Sequence, residues 1–442
     1  MNRTSGPTEN ISLPVTQAEP PLAKPGDVER ECRNLAYDVL DGAVVPVLGA
    51  GVNVCERPSG SKWRSGSYLP TGSELAKLLA DQSAYTPDLF TREPGSEEAA
   101  GARSSYEPVY DLLRVSQYVE VTKGPASLHR TLHEVFVRPY GPSIVHQFLA
   151  RLAKASREPL LMLTTNYDDA LEQAFQEAGV SYDLVTYVAD YPKNRRGHFT
   201  RSVWNPGDGV ESEPKAIGKA NTCFDVLEER PAIVKIHGAV RRGGDYTQDN
   251  YVISEDDYID YLVHSDAAKR FPVGVTKRLP DSHFLFLGYS LRDWNLRVIL
   301  RRIWQKQSLK ARSWSVRLDA DEIDELFWVQ QGVKTLRYPL PEFVLTLRRI
   351  CLAAFLNSFA DDAPEERTRT IEETRPEALF ERLPNEQEDR PAMLGALQEE
   401  HLKLFLESLP EGRRGPLLAE LPEALVAEVR KARGTGPASP GG

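Results

Sequence analysis

Residues 44–53 read Val-Val-Pro-Val-Leu-Gly-Ala-Gly-Val-Asn (VVPVLGAGVN). An apolar run that meets a Gly-Ala-Gly turn predicts a buried strand whose chain turns sharply with almost no side-chain bulk. Just upstream, 27–41 carries Cys32, Leu35, Ala36, Val39 and Leu40 at helical spacing, and Gly42 stops the helix before the strand at 43–48. A turn of this kind lets backbone N–H groups approach a phosphate; a plain tight turn is the alternative. The three-glycine dinucleotide fingerprint is not met, because Val54 stands where the third glycine belongs and no acid-ended strand follows at the required distance.

Working outward, 57–103 reads as a Gly-, Ser- and Pro-rich insertion around one helix starting at Gly72, followed by helical patterns over 106–121 and 125–136. Strand and helix then alternate: a strand at 159–165, a helix at 168–179, a strand at 183–187, a long polar excursion through Cys223, and a strand at 232–236. A helix over 255–263 is expected to start on Ser254 with Asp257 closing a capping box. A strand at 283–287 leads to a helix opened by Asp293 and running to about Lys306. Strands at 314–318 and 333–338, a helix through Trp328 and a last helix through Leu356 complete the set. Short, wholly apolar strands separated by helices predict an α/β fold, a Rossmann-like parallel sheet covered by helices on both faces.

In such sheets ligands bind at the carboxyl ends of the strands. Four of those ends are polar or glycine-bearing: Gly49-Ala50-Gly51, Thr165-Asn166, His237-Gly238 and Gly288-Tyr289-Ser290. Asn166 has an amide able to orient a sugar hydroxyl or a water, and His237 can take a proton near neutral pH. Each has a plainer alternative: Asp168 or Asp169 as a helix cap, with capping favoured for Asp169, and His237 as a structural histidine. His129 and His133 share the four-residue spacing of a zincin helix, but Arg130 replaces the Glu such a site needs, so no metal site is expected. Arg292, Arg297, Arg301, Arg302 and Trp304 read as a solvated or subunit-contacting helix face.

The chain has 442 residues, 41% of them apolar, and a formal net charge of −10. That charge argues against direct nucleic acid binding, which needs clustered Lys and Arg. From Ser358 onward there are 11 basic and 18 acidic side chains, so the tail holds most of the excess. Cys32, Cys55, Cys223 and Cys351 are scattered singly, without a Cys-x-x-Cys pair or a disulfide framework. No uninterrupted apolar run of about 18 residues occurs and the first residues lack a signal pattern, so no membrane contact and a cytoplasmic location are expected.

GAGVN, TTNYDDALE, KIHGAV, SEDDY and FLGYSLRDWNLRVIL, in this order, resemble the sirtuin-like family, and its bacterial branch of antiphage-defence NADases more closely than the zinc-containing deacylases. The resemblance implies NAD+ as substrate, with no metal. Gly49, Ala50, Gly51, Asn53 and Thr165, together with Gly288, Ser290 and Asp293, would contact the nucleotide. Asn166 would position water or ribose, Asp168 would support that amide or contact nicotinamide, and His237 would act as base. Neither the four zinc cysteines nor the Pro-Asp-Phe-Arg element of the deacylases is present. The implied activity is an NAD+ glycohydrolase giving nicotinamide and ADP-ribose, a regulated effector of antiphage (abortive infection) defence. A non-catalytic NAD- or ADP-ribose-sensing module, or a zinc-free deacylase or ADP-ribosyltransferase, is the alternative. A homo-oligomer and a regulatory or sensor protein are the expected partners.

The expected organisation is a disordered tail over 1–26, a catalytic domain over 27–357, a charged linker over 358–392, and a helical pair with a flexible end over 393–442. The pair would pack on the main domain or on another subunit.

Overall fold

The computed structural model describes residues 22–55, 57–58, 60–86, 110–189, 197–217, 229–264, 271–289, 297, 300, 313–318, 322–363, 366–367, 370, 376–379, 399–410, 412–413 and 415. Ser290, Asp293, Cys223, Arg292, Arg301, Arg302, Trp304, and the expected stretches 1–21 and 416–442, lie outside them.

Eleven strands are described: β1 (Val44–Leu48), β2 (Leu161–Thr164), β3 (Tyr182–Val188), β4 (His198–Trp204), β5 (Lys215–Ala216), β6 (Ala232–Lys235), β7 (Gly238–Ala239), β8 (Asn250–Tyr251), β9 (His283–Leu287), β10 (Ser313–Arg317) and β11 (Val333–Arg337). Nine form one sheet in the order β11-β10-β9-β1-β2-β6-β3-β4-β5, and β7 pairs with β8 separately. The seven strands from β11 to β3 are parallel, as expected for wholly apolar segments. β4 and β5 extend one edge antiparallel, inside what the sequence presents as a polar excursion. Only Phe199, Ser202 and Trp204 of β4 are buried, so Arg201 and Ser202 break the period-two signal by which such a strand is read.

β1 is all buried. Val44 and Leu48 face one apolar cluster and Val45 and Val47 the other, so its two faces hold the two halves of the core together. Pro46 lacks an N–H, and β2 pairs with β1 only from Val47 onward. The first face carries helices α1 (Pro25–Leu40), α5 (Ile144–Ala155) and α6 (Ala170–Glu177) together with the long C-terminal helix. The second carries α7 (Glu255–His264), α8 (Val273–Arg278) and α9 (Glu322–Gln330). α2 (Gly72–Ser83), α3 (Leu112–Lys123) and α4 (Pro125–Phe136) form a third cluster with Tyr167, Val240 and Tyr251, residues that follow β2 or lie in the β7–β8 hairpin. This three-helix layer therefore stands beside the carboxyl ends of the strands.

The predicted capping box of α7 forms: Asp257 Oδ2 accepts from Ser254 N at 3.0 Å, and Ser254 Oγ accepts from Asp257 N at 3.3 Å. α5, by contrast, has no counterpart among the expected elements. It is buried almost all round and begins on a Ser143–His146 capping box in which histidine replaces the usual Glu or Gln.

Two further helices among the described residues are α10 (Leu340–Asp361) and α11 (Glu399–Ser408). α10 continues past the expected boundary at residue 357. It is the one helix among the described residues long and apolar enough to cross a membrane, but it packs in the core against α1, α5 and α11. Leu402, Phe405, Leu406 and Leu409 are buried in the same cluster as α10, with the Phe405 ring edge-on to Phe355 and Phe359. α11 and the adjoining Leu409 thus cover apolar surface of α10.

Candidate active site

From β1 the chain runs to β2 on one side, while β9 lies on the other, so the sheet order reverses at β1. A crevice opens at the carboxyl ends of strands at such a switch point. β9, β1, β2 and β6 are consecutive neighbours, and Gly288, Gly49, Asn166 and His237 follow their respective ends.

The glycines at the centre are required by backbone contact. A Cβ on Gly51 would lie 2.5 Å from the Gly288 carbonyl oxygen, and one on Gly49 would lie 2.6 Å from the Tyr289 ring. Gly288 itself has φ +59°, and a Cβ there would meet Val52 N at 2.4 Å. The Gly49 N–H donates to Leu287 O at 3.1 Å, Gly51 N–H to Gly288 O at 2.8 Å and Val52 N–H to Gly49 O at 3.2 Å. The Gly-Ala-Gly turn is therefore pressed against the turn after β9, and these three amides are used within the protein. Residues 50–54 continue as a short 3-10 turn that buries Asn53, whereas Ala50 and Gly51 stay half-buried.

Asn166 is buried, its N–H donating to Thr164 Oγ1 at 3.0 Å and its Nδ2 to Gly49 O at 3.3 Å. Thr164 Oγ1 in turn donates to Leu48 O at 3.2 Å. The half-buried Thr165 donates its N–H to the same carbonyl at 3.3 Å. Asn53 Nδ2 donates to Asp168 Oδ2 at 3.4 Å and to Pro70 O at 3.3 Å. Asn53 Oδ1 is buried without a hydrogen-bond partner among the described residues, so a donor from a ligand would satisfy it. Gly49–Asn166 and Asn53–Asp168 are thus two hydrogen-bonded pairs, each joining the turn after β1 to the loop after β2.

Asp168 is buried, and burial pushes its carboxyl above the usual range against the attraction of Lys235. Its Oδ1 accepts from Ala170 N at 3.2 Å, so Asp168 supplies the side-chain bond at the start of α6. Asp169 makes no cap bond and is held instead by Arg242, which also donates to Val137 O at 2.7 Å and Arg138 O at 3.0 Å. The capping role expected of Asp169 is thus overturned: the guanidinium outcompetes an amide for an ionised oxygen.

His237 is buried at the end of β6, its ring 5.4 Å from that of Tyr258 and 6.3 Å from that of Tyr261, both on α7. Gly238 must follow it, since with φ +86° a Cβ there would lie 2.1 Å from Asn250 O. β2 and β6 are in register at Thr164 and Lys235, so Asn166 and His237 occupy equivalent positions beyond adjacent strands. The zincin-like pair is used otherwise: His133 Nδ1 lies 2.7 Å from Asp249 Oδ2, and the His129 ring stands edge-on to Tyr251. Among the described residues no three metal-ligating side chains gather. Of the basic helix, Arg297 lies over the Trp328 ring.

One group escaped the sequence reading. Lys235 is fully buried, 2.8 Å from Glu172 Oε1, and also donates to the Asp168 carbonyl. Burial lifts Glu172 to about 7, while Glu172 and Asp168 hold Lys235 above its usual value despite burial. His146 accepts from Ser143 N at 3.0 Å and is pushed down to about 3 by burial and by Lys235. A lysine ending the apolar strand Ala232–Lys235 was the available signal.

Residues 160–336 match the model of the SIR2-like domain. The matched residues run from β2 into β11 and include Asn166, Asp168, Lys235, His237 and Gly288. A solved structure from work on the structural basis for the mechanism and regulation of Sir2 enzymes is similar at 11% identity and a TM-score of 0.29, covering 73% of this chain and 98% of its own. Comparison with curated proteins gave no match.

Proposed function

We propose that this chain is an NAD+ glycohydrolase that releases nicotinamide and ADP-ribose. The SIR2-like match over 160–336 supports NAD+-dependent chemistry. The observation that carries the site assignment is the buried Asn166 amide tied to the Gly49 carbonyl at the switch point, one strand away from His237.

Nicotinamide leaves a cationic pyridinium and departs neutral, so the C1′–N bond breaks without a general acid, unlike the acid-assisted cleavage of ordinary glycosidases. The protein has to orient the ribose, stabilise an oxocarbenium-like centre and admit one water. In this reading Asn166 orients the ribose or the water and His237 takes the proton as water adds to C1′. Asp168 holds Asn53, whose unpartnered Oδ1 accepts from a nucleotide hydroxyl. Gly49, Ala50, Gly51, Thr165 and Gly288 shape the remaining nucleotide contacts, and Ser290 and Asp293 join them. An unrestrained enzyme of this kind would deplete its own cell, so it is held in check by assembly or by a regulatory partner, as suits an effector of antiphage defence. Acyl-lysine chemistry is disfavoured because the chain has no Cys-x-x-Cys pair for the zinc of the deacylases.

One observation favours a second reading, a module that binds NAD+ or ADP-ribose and gates a partner: His237 is only 2% exposed. Incubating the protein with NAD+ at several protein concentrations and separating the products tests both. Nicotinamide release that falls on the order of 10²-fold in Asn166→Ala and in His237→Ala, with the fold retained, is expected for the hydrolase. Binding without turnover would replace it by the sensor.

A further inference from the structure

Lys235 and Glu172 have side chains 1% and 5% exposed. Desolvating two charges costs several kcal/mol per ion, and well-packed apolar residues of similar volume are often neutral or better for stability. Stability therefore gives little reason for an ammonium at this point. Its location gives one. Lys235 is paired in register with Thr164, two residues before Asn166, and itself stands two residues before His237. Its Nζ donates to the main-chain carbonyl of Asp168, the last peptide before Asp169 and α6. One side chain thus ties the strand bearing His237 to the loop bearing Asn166 and Asp168.

We infer that Lys235 is a positioning residue: from β6 it fixes the 166–168 loop by its bond to the Asp168 carbonyl. Its charge, balanced by Glu172, opposes the effect of burial on the Asp168 carboxylate and favours the ionised form. This rests on the glycohydrolase reading for its catalytic consequence, but not for its structural one. The groups facing Asp168 are Lys235 from β6, Asn53 from the turn after β1, Asp169 from the start of α6 and Arg242 from the loop after β7. Glu172 and His146 face Lys235, and Glu211 faces Glu172. Lys235 is thus the buried cation in direct contact with the Asp168 main chain.

The test compares Glu172→Gln, which keeps the lysine bond to the loop, with the double variant Lys235→Met/Glu172→Gln, which removes the lysine together with the carboxylate that it pairs with. With NAD+ as probe, the double variant is expected to lose about tenfold or more in kcat with KM changed less than about threefold. The acid limb of its pH profile should move up by about one unit or more, because a carboxylate deprived of a nearby cation ionises later. Backbone hydrogen exchange over 164–172 should quicken by about tenfold. A folded double variant matching Glu172→Gln in kcat, acid limb and exchange would overturn the inference. If the wild type releases no nicotinamide, the glycohydrolase reading falls while exchange still decides, and unchanged protection of 164–172 would sink the positioning role. If the double variant does not fold, Lys235→Gln replaces it; the same rise of the acid limb supports the inference and an unmoved limb refutes it.

Discussion

Gly51→Ala is a direct perturbation of the turn on which the crevice is built. The added Cβ would sit 2.5 Å from Gly288 O, 2.7 Å from Gly288 Cα and 2.9 Å from Gly288 C, all backbone atoms with no rotamer to change. Reaching ordinary contact distance means opening the two turns by roughly 1 Å. That strains the Gly51–Gly288 and Gly49–Leu287 hydrogen bonds, at 2.8 and 3.1 Å, together worth about 2 kcal/mol. Adding overpacking strain of about 1–2 kcal/mol gives a loss of about 3–4 kcal/mol. At about 2 cal/mol/K of unfolding entropy per residue, a chain of this size should melt about 3–5 °C lower. The opening also displaces Gly49 O, the acceptor of the Asn166 amide, so nicotinamide release should fall beyond what stability explains. Thermal and denaturant unfolding followed by circular dichroism measure the first effect. Gly26→Ala is the control: it lies in the first turn of α1 with nothing within 4 Å of the added Cβ, and should stabilise by up to about 1 kcal/mol. A Gly51→Ala protein within about 0.5 kcal/mol of wild type would refute turn-to-turn packing as the reason for glycine, that margin being the scatter of harmless surface changes.

Phe405→Ala removes a fully buried ring from between Phe355 and Phe359 and should cost about 3–4 kcal/mol in denaturant unfolding; a loss under about 1 kcal/mol would mean that α11 does not cover the core in solution. Glu120 is raised from 4.5 to about 7 by burial and then by Asp257 and Asp256, against a hydrogen bond from Ser254. Its folded pKa exceeds its unfolded one, so the folded state binds the proton more tightly and stability falls as pH rises from about 4.5 to about 7. Glu120→Gln should accordingly be more stable than wild type by about 1–2 kcal/mol at pH 8, allowing for partial exposure, with the gain gone near pH 4. A pH-independent difference would refute the assignment. Arg242→Met should free Asp169 and loosen the contact between the β7–β8 loop and the end of α4, lowering the hydrogen-exchange protection of Arg138 and its neighbours; unchanged protection would show that the bridge holds nothing.

The parallel strands were legible because each is a short apolar run bounded by glycine or polar residues, and the α7 cap because its two partners lie three residues apart. α5 was not, since a helix buried nearly all round shows no polar stripe to set its period, and its cap uses histidine. β4 was not, since Phe199 and Trp204 are buried in different clusters on opposite faces and Arg201 turns inward to pair with the buried Asp183, which leaves no regular alternation. Of the site, Asn166, His237 and the two glycine turns were marked by where they end their strands. Lys235 and Glu172 were passed over because each is meaningful only beside the other, 63 residues away in the chain.

By itself, then, the amino-acid order determined which segments are strands, where they stop, and that polar groups and glycines gather at those stops, because hydrophobic period and turn chemistry act over a few residues. Only the tertiary structure decided that β9, β1, β2 and β6 are neighbours, that Asp168 rather than Asp169 bonds the start of α6, and that a buried lysine stands beneath the Asn166 loop. Those outcomes depend on sheet order and on the loss of water around charges, which are properties of contacts between segments far apart in the chain.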